Sequence, residues 1–108
     1  MVKFMVMFHQ PGDINTFERN YNQFLALIER MPDIQRRQVI NVMGSPIGAP
    51  RYYRILEIYF EDMAQLESSL RSKAGQEAGW ELSRVFPADT VEALFAEVYE
   101  EAGGSTPI

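Results

Sequence analysis

The spacing of hydrophobic residues along this chain of 108 residues changes from a period of two to a period near 3.6 and back. A period of two is typical of a β-strand with two distinct faces, and a period near 3.6 is typical of an amphipathic helix. The pattern predicts strands at residues 2–9, 34–44, 51–60 and 90–99, and helical regions at residues 14–31 and 63–85. The order of elements is therefore β-α-β-β-α-β, which constrains the fold more than any other feature of the chain.

Capping residues and glycines divide the second helical region. Asp62 is placed to cap its first helix. Ser72 interrupts the region and can cap a second helix, from about residue 73 to Val85. Gly75 and Gly79 each disfavour this second helix by roughly 1 kcal/mol relative to alanine. We therefore expect close packing at both glycines.

The order of elements predicts the α+β fold class. It corresponds to a ferredoxin-like sandwich, in which a four-stranded antiparallel sheet carries helices on one face. A chain of this length makes one domain. We place that domain at residues 1–100 and a C-terminal tail at residues 101–108. The other face of the sheet must then be solvated or covered by something else.

The sheet face that the helices leave uncovered is predicted to be apolar. The residues assigned to the helix side are Val2, Phe4, Val6, Phe8, Leu56, Ile58 and Phe60. The residues assigned to the other face are Met5, Met7, His9, Val39, Asn41, Met43, Tyr53, Ile55, Glu57 and Tyr59. A monomer that exposes so many large side chains in one patch is prone to aggregate. The pattern therefore predicts a homodimer, in which a second copy covers this face.

Composition and charge exclude several classes of protein. Fifteen acidic and ten basic residues give a formal net charge of −5, which opposes binding to nucleic acid. The chain has no cysteine, so disulfides, thiolate zinc sites and cysteine nucleophiles are excluded. No apolar run approaches the roughly 18 residues that span a bilayer. We expect no membrane partner and a cytoplasmic location.

The run from Gly44 to Phe86 carries a family resemblance. Its features are the "GSPIGAPRYY" loop and strand, the "EIYF" strand ending, and the spacing of small and apolar residues in "SKAGQEAGWELSRVF". Together with the opening "VKFMVMF", these features resemble the EthD family, named for ethyl tert-butyl ether degradation. The resemblance implies the dimeric α/β-barrel superfamily, in which two ferredoxin-like subunits join their sheets around a central cavity.

The resemblance breaks in the middle of the first helix. Family members place a histidine there, followed shortly by a proline, whereas residues 21–32 of this chain read "YNQFLALIERMP". Phe24, Leu25 and Leu27 stand where polar or kinking residues are expected. A catalytic role for that histidine is therefore not carried over to this chain.

Two side chains on the predicted cavity face are candidates for catalysis. Glu57 matches the family's third-strand glutamate and could move a proton. The alternative is that it accepts hydrogen bonds and only holds its strand. His9, the single histidine, could act as a base or a haem ligand at the cavity mouth. The alternative is an exposed strand-end residue, and a lone histidine does not predict a metal site.

The predicted ligand-binding residues share the same cavity. They are Met5, Met7, Asn41, Tyr53, Tyr59 and Trp80. Asn41 needs a partner, because an unbonded buried amide costs roughly 1–3 kcal/mol. Trp80 is expected to pack on the sheet or to close one end of the cavity. The sequence does not distinguish whether Tyr53 and Tyr59 bind a ligand or only pack in the core or in an interface.

These observations lead to one functional hypothesis with two rivals. We expect a homodimer that binds a small, mostly apolar organic molecule between the sheets. If it is an enzyme, the resemblance points to cofactor-independent oxygenation, isomerisation or cyclisation of an activated carbon acid, with Glu57 or His9 moving the proton. The first rival is a non-catalytic accessory protein for a hydrophobic intermediate. The second is a haem-binding barrel, for which His9 would be the ligand.

Overall fold

A computed structural model describes residues 1–101 of the chain. Its elements are β1 (Val2–His9), α1 (Ile14–Ile28), β2 (Arg36–Asn41), β3 (Tyr52–Phe60), α2 (Met63–Arg71), α3 (Lys73–Val85) and β4 (Val91–Glu97), with a single 3-10 turn at Ala88–Thr90. The strands form an antiparallel sheet in the order β2-β3-β1-β4. The predicted α+β, ferredoxin-like order is confirmed. Residues 102–108, which make up nearly all of the predicted tail, lie outside the described residues.

The helices cover one face of the sheet, and this face forms the hydrophobic core. In the antiparallel register Val6 lies opposite Leu56, so the two side chains share a face. Val6, Leu56 and Ile58 are fully buried, as predicted. Phe8 packs with ring-centroid distances of 5.0 to 6.2 Å against Phe17, Tyr21, Phe24 and Phe86. Within residues 1–101, no helix has both the length and the apolar character needed to cross a membrane.

Side-chain caps begin the helices. Asp13 accepts hydrogen bonds from the first backbone amides of α1, and Asp62 accepts one from the Gln65 amide of α2. The Ser72 hydroxyl oxygen accepts a hydrogen bond from the Gly75 amide, 3.1 Å away. Ser72 therefore ends α2 and caps α3, so the predicted division of the second helical region is confirmed.

The two glycines of α3 have different surroundings. A Cβ atom on Gly75 would lie 2.3 Å from the Ser69 carbonyl oxygen, so the expected close packing is present there. A Cβ atom on Gly79 would meet nothing within 4 Å. The prediction is therefore wrong for Gly79. The sequence pattern does not show which part of α3 the preceding helix α2 contacts.

The register of β2 corrects the predicted side of three residues. Asn41 lies opposite Arg54 and Val39 lies opposite Leu56, so both project to the helix side of the sheet. Met43 lies beyond the end of β2 and is fully exposed. Their predicted placement on the uncovered face is wrong, because alternation alone does not say which row of a strand faces the core. The residues of β2 on the uncovered face are instead Arg36, Gln38 and Ile40.

Asn41 binds a largely buried arginine on the helix side. The Arg54 Nε donates a hydrogen bond to Asn41 Oδ1 at 2.8 Å, and its two terminal nitrogens bind Glu18 of α1. The guanidinium also lies over the rings of Tyr21 and Tyr53, 4.6 and 5.4 Å from their centroids. Burial opposes ionisation, but the hydrogen bond and the charge of Glu18 raise the pKa of Arg54 above its ordinary value. Asn41 thus helps to join β2, β3 and α1.

A β-bulge moves Tyr53 off the uncovered face. β1 pairs regularly with β3 up to Phe8, but the next residue, His9, lies opposite Tyr52. Tyr53 is therefore the extra residue, and a bulge of this kind re-aims a side chain. Its ring packs edge-on against Phe17 at a centroid distance of 5.2 Å. The predicted placement of Tyr53 is wrong, because it assumes an unbroken alternation along β3.

Trp80 lies on the solvent side of α3. The helix turns Gly75 and Ala78 toward the protein interior, and Trp80 falls on another side of the same helix. Its side chain is 71% exposed. Trp80 therefore does not pack on the sheet of its own protomer, and the alternative, that it closes one end of the cavity, stays a prediction.

Candidate functional site

The sheet face away from the helices, called the open face below, combines apolar and charged side chains. Its residues are Lys3, Met5 and Met7 of β1, Arg36, Gln38 and Ile40 of β2, Ile55, Glu57 and Tyr59 of β3, and Glu92, Leu94 and Ala96 of β4. Ile40 and Leu94 are 39% and 41% exposed. The open face therefore carries the apolar side chains that the sequence predicts, together with ion pairs at its centre and at one end.

Glu57 lies at the centre of the open face and is only 6% exposed. Lys3 Nζ is 3.1 Å from one carboxylate oxygen, and the Tyr59 hydroxyl is 3.0 Å from the other. That hydroxyl is also 3.0 Å from Gln38 Oε1, and the Arg36 guanidinium lies 4.3 Å from the centre of the Tyr59 ring. Such a partnered carboxylate is typical of a structural network. The catalytic role predicted for Glu57 stays a prediction.

His9 makes the polar contact at the end of the open face. Its Nε2 is 2.7 Å from Glu92 Oε2. The Tyr52 ring packs edge-on against the imidazole with a centroid distance of 5.5 Å, and Arg51 Nη1 is 3.9 Å from the same Glu92 oxygen. The hydrogen bond with His9 is the main cause that lowers the pKa of Glu92 below its ordinary value. The carboxylate is therefore ionised at neutral pH and can orient the imidazole.

A pocket of about 230 Å³ opens beside His9 at the end of the sheet. The loop after β1, the first turns of α1 and the segment between α3 and β4 enclose it. Its apolar wall includes Phe8, Phe17 and Phe86, whose ring centroids lie 5.0 to 5.8 Å apart. Its polar lining includes His9, Thr16, Asn20 and Thr90. An apolar wall with a few polar groups is the usual composition of a small-molecule site.

The predicted site residues fall in separate places. Met5, Met7, Glu57 and Tyr59 lie on the open face. Asn41, Tyr53 and Trp80 do not, and none of the three lines the pocket. Of the predicted set, His9 lines it. Glu57 lies opposite Met5, so it is roughly 13 Å from His9 along the sheet at about 3.3 Å per residue. At this separation Glu57 and His9 of one protomer cannot act on the same proton.

The sequence reasoning missed the partner of His9. Glu92 is 83 positions away along the chain and comes close only because β4 runs antiparallel to β1. The available signal is the ferredoxin-like order, which makes the start of β4 a neighbour of the end of β1. Phe17 and Phe86 can be read from the sequence as core residues, but their role as pocket walls depends on the loops.

Metal-binding side chains do not cluster in the part of the chain that the structure describes. Among residues 1–101, no group of three or more histidine, aspartate or glutamate side chains is arranged to hold an ion. His9 uses Nε2 for Glu92, so His9 could bind haem iron only through its other ring nitrogen or after losing this contact.

Comparisons with known proteins agree with the fold. No family model matches the chain. An uncharacterized 11.0 kDa protein in the thcB-thcC intergenic region of Rhodococcus erythropolis is 24% identical over 98 residues, covering 90% of this chain and 94% of that protein. The crystal structure of an EthD family protein from Bacillus halodurans has a TM-score of 0.86 and 26% identity, covering 92% of this chain and 99% of that one. The predicted EthD resemblance is confirmed.

Two more distant structures share the fold. A dimeric ferredoxin-like protein of unknown function from Jannaschia has a TM-score of 0.69 and 17% identity, covering 91% of this chain and 100% of that one. SnoaB, a cofactor-independent oxygenase from Streptomyces nogalater, has a TM-score of 0.65 and 16% identity, covering 94% of this chain and 96% of that one. Similarity at these identities concerns the fold alone.

Proposed function

We propose that this chain, a relative of the EthD family, forms a homodimer whose protomers each bind a small, mainly apolar organic molecule in the pocket beside His9. His9 then transfers a proton to or from the bound molecule. The observation that carries the proposal is the 2.7 Å contact between His9 and Glu92 at the border of a pocket walled by phenylalanines.

The His9–Glu92 contact determines which ring nitrogen is basic. When Nε2–H donates to the Glu92 carboxylate, Nδ1 carries the lone pair and accepts a proton. A carbon acid in the pocket loses its proton to Nδ1, and the positive charge that develops on the ring is stabilised by Glu92. The side-chain amide of Asn20, which lines the pocket, can donate a hydrogen bond to a carbonyl oxygen of the same molecule. Return of the proton to another carbon completes an isomerisation.

The size and lining of the pocket limit the ligand. Its volume of about 230 Å³ lies below the roughly 300–1,000 Å³ of pockets that hold drug-sized molecules. A compact ligand with one apolar ring or chain suits this space. The ligand is thus proposed to lie on the helix side of the sheet, not between the two sheets as the sequence led us to expect.

The open face supports the proposed dimer. Met5, Met7, Ile40, Ile55 and Leu94 lie on it in neighbouring strands, and Ile40 and Leu94 are about 40% exposed in the protomer. A second sheet would bury these side chains, and obligate interfaces of this kind resemble a hydrophobic core. The Jannaschia protein of the same fold is described as dimeric.

A non-catalytic binding protein is the second candidate. It is favoured by the middle of α1, where the EthD resemblance leads us to expect a histidine. That part of α1 presents Phe24, which is 1% exposed, and Leu25 and Leu27, which pack against the core. This candidate uses the same pocket but requires no proton transfer.

Binding and proton transfer can be measured with 2-indanone, a compact apolar ketone. Saturable changes in its NMR signals report binding, and loss of its α-proton signal in D₂O reports proton transfer. We expect His9→Gln to lower the exchange rate by about 100-fold, the usual size of a general-base contribution. Gly12→Phe should block binding, since Gly12 lines the pocket and has free space around its Cα atom.

Two variants serve as matched controls. Gly44→Phe introduces the same side chain in another open loop, outside the pocket lining, and should leave binding unchanged. Glu97→Gln neutralises a carboxylate of β4 that bonds Tyr99 and should leave exchange unchanged. Equal exchange rates in wild type and His9→Gln would contradict the catalytic proposal. Binding without exchange in the wild type would favour the non-catalytic candidate.

A further inference from the structure

Asp13 contributes a carboxylate to the lining of the pocket beside His9. It caps α1, and Thr16 and Asn20 line the same pocket from the following turns of the helix. Asp13 Oδ1 accepts hydrogen bonds from the backbone amides of Asn15 and Thr16 at 3.0 and 3.4 Å, and Oδ2 accepts one from the Thr16 hydroxyl at 3.0 Å. These bonds hold both carboxylate oxygens beside Thr16, so the charge stays next to the pocket.

The charge of Asp13 is not neutralised by a neighbouring side chain. Hydrogen bonding by the Thr16 hydroxyl, and then by the Thr16 amide, lowers the pKa of Asp13 below its ordinary value, so the carboxylate is ionised at neutral pH. Within residues 1–101, Asp13 forms no salt bridge, and Arg19 has only a minor influence on it. The described residues that line the pocket include no lysine or arginine.

His9 does not supply a free positive charge to the pocket. Its Nε2 lies 2.7 Å from Glu92 Oε2, so a proton gained by the ring is already paired with a carboxylate. Arg51 is 3.9 Å from the same oxygen, but its side chain is 68% exposed and lies outside the pocket lining. An anionic ligand would therefore meet a negative charge at Asp13 without an unpaired positive charge at His9.

The threonine hydroxyls of the pocket lining offer a ligand only lone pairs. Thr16 Oγ1 donates its proton to Asp13, and Thr90 Oγ1 donates its proton to the Pro87 carbonyl at 2.7 Å. A hydroxyl has a single proton, so neither threonine can also donate to a ligand. A carboxylate only accepts hydrogen bonds, and it therefore gains nothing from these two groups.

We infer that the pocket selects uncharged ligands over carboxylates and that Asp13 is the residue that determines this specificity; this inference rests on the binding proposed above. Free backbone amides at a helix N-terminus attract anions. In α1 the Asp13 carboxylate already binds the amides of Asn15 and Thr16. A ligand carboxylate would have to displace Asp13 and would be repelled by its charge. The substrate class is therefore a neutral carbonyl compound, not a keto acid.

Two indane derivatives of similar size test this inference. Indane-2-carboxamide is neutral, whereas indane-2-carboxylate carries one negative charge. The measurement is the dissociation constant of each compound by NMR titration, counting only the binding that Gly12→Phe abolishes. We expect wild type to bind the carboxamide more tightly. Asp13→Asn should reduce this preference by about threefold, the effect of two unit charges roughly 5–6 Å apart in water-like surroundings.

Asp62→Asn is the matched control for Asp13→Asn. Asp62 caps α2 by accepting a hydrogen bond of 2.8 Å from the Gln65 amide, and it does not line the pocket. Asparagine caps a helix about as well as aspartate, so each variant removes one negative charge and keeps its cap. Asp62→Asn should leave the preference unchanged. Added salt should narrow the preference of wild type, because ions screen the interaction with Asp13.

The outcomes separate this inference from the proposed function. The inference is overturned if wild type binds the carboxylate as tightly as the carboxamide, if Asp13→Asn keeps the wild-type ratio, or if Asp62→Asn changes the ratio equally. In each of these cases, binding of the carboxamide still supports the proposed pocket. If neither compound binds to wild type, the proposed pocket fails and the inference fails with it.

Discussion

The ion pair between Lys3 and Glu57 decides whether Glu57 is a structural or a catalytic residue, and it can be tested by a double-mutant cycle. Lys3→Met leaves the Glu57 carboxylate, whose side chain is 8% exposed, with Tyr59 as its remaining partner. Glu57→Gln leaves the Lys3 ammonium, whose side chain is 19% exposed, facing a neutral amide. The double variant leaves no unpaired charge at this position.

The expected size follows from burial. Removing one partner of a fully buried ion pair costs about 3–5 kcal/mol, whereas exposed pairs contribute about 0–1 kcal/mol. Lys3 retains a fifth of its exposure and Glu57 retains the Tyr59 hydroxyl, so we expect each single variant to lose about 2 kcal/mol of unfolding free energy. The double variant should also lose about 2 kcal/mol, since it avoids the unpaired charge. The coupling energy is then about 2 kcal/mol.

The assay is urea unfolding at a constant protomer concentration, because the stability of a dimer depends on concentration. The control cycle uses Glu67 and Arg71, an exposed pair 4.0 Å apart in α2, which should couple by less than about 0.5 kcal/mol. Losses that simply add in the Lys3–Glu57 double variant would refute the structural interpretation. So would complete loss of 2-indanone exchange in a Glu57→Gln protein that remains folded and dimeric, since this would make Glu57 catalytic.

Four other positions give further predictions. Gly79→Ala should raise the unfolding free energy by about 0.5–1 kcal/mol through helix propensity. Gly75→Ala should lower the unfolding free energy by about 1–3 kcal/mol, because its Cβ would lie 2.3 Å from a backbone oxygen. A gain of stability in Gly75→Ala, or a loss in Gly79→Ala, measured by urea unfolding, would contradict the packing of the two glycines. The pKa of Glu92 is lower in the folded protein than in the unfolded chain. The ionised carboxylate therefore stabilises the fold at any pH above the pKa of the unfolded chain, and this stabilisation is lost as the pH falls through the folded pKa. Urea midpoints of wild type should therefore decline more toward acid pH than those of Glu92→Gln, and parallel curves would exclude a native bond to His9. Trp80→Ala should change the unfolding free energy by no more than about 0.5 kcal/mol and leave 2-indanone binding intact; a larger loss would mean that Trp80 is covered by a partner.

Much of the fold could be predicted because the relevant signals are local. The change of hydrophobic period placed all the strands and helices of residues 1–101 in the right order. Ser72 was predicted from the sequence to cap α3, and it caps that helix in the structure. The core face of β1 and β3 was also predicted correctly, because Val6, Leu56 and Ile58 belong to rows that are apolar throughout.

The candidate site was less predictable. β2 has polar residues on both of its rows, so its pattern could not show that Asn41 joins Arg54 on the helix side. The bulge that separates Tyr52 from Tyr53 leaves no mark in the alternation of β3. Glu92 becomes the partner of His9 only through strand pairing across 83 positions.

The sequence by itself determined the order of the elements, the helix caps and which rows of β1 and β3 are buried, since each depends on residues a few positions apart. Only the tertiary structure decided the register of β2, the bulge, the pocket and the His9–Glu92 contact. These depend on how distant segments are aligned, and a shift of one residue in a strand exchanges the two faces without changing the composition of the strand.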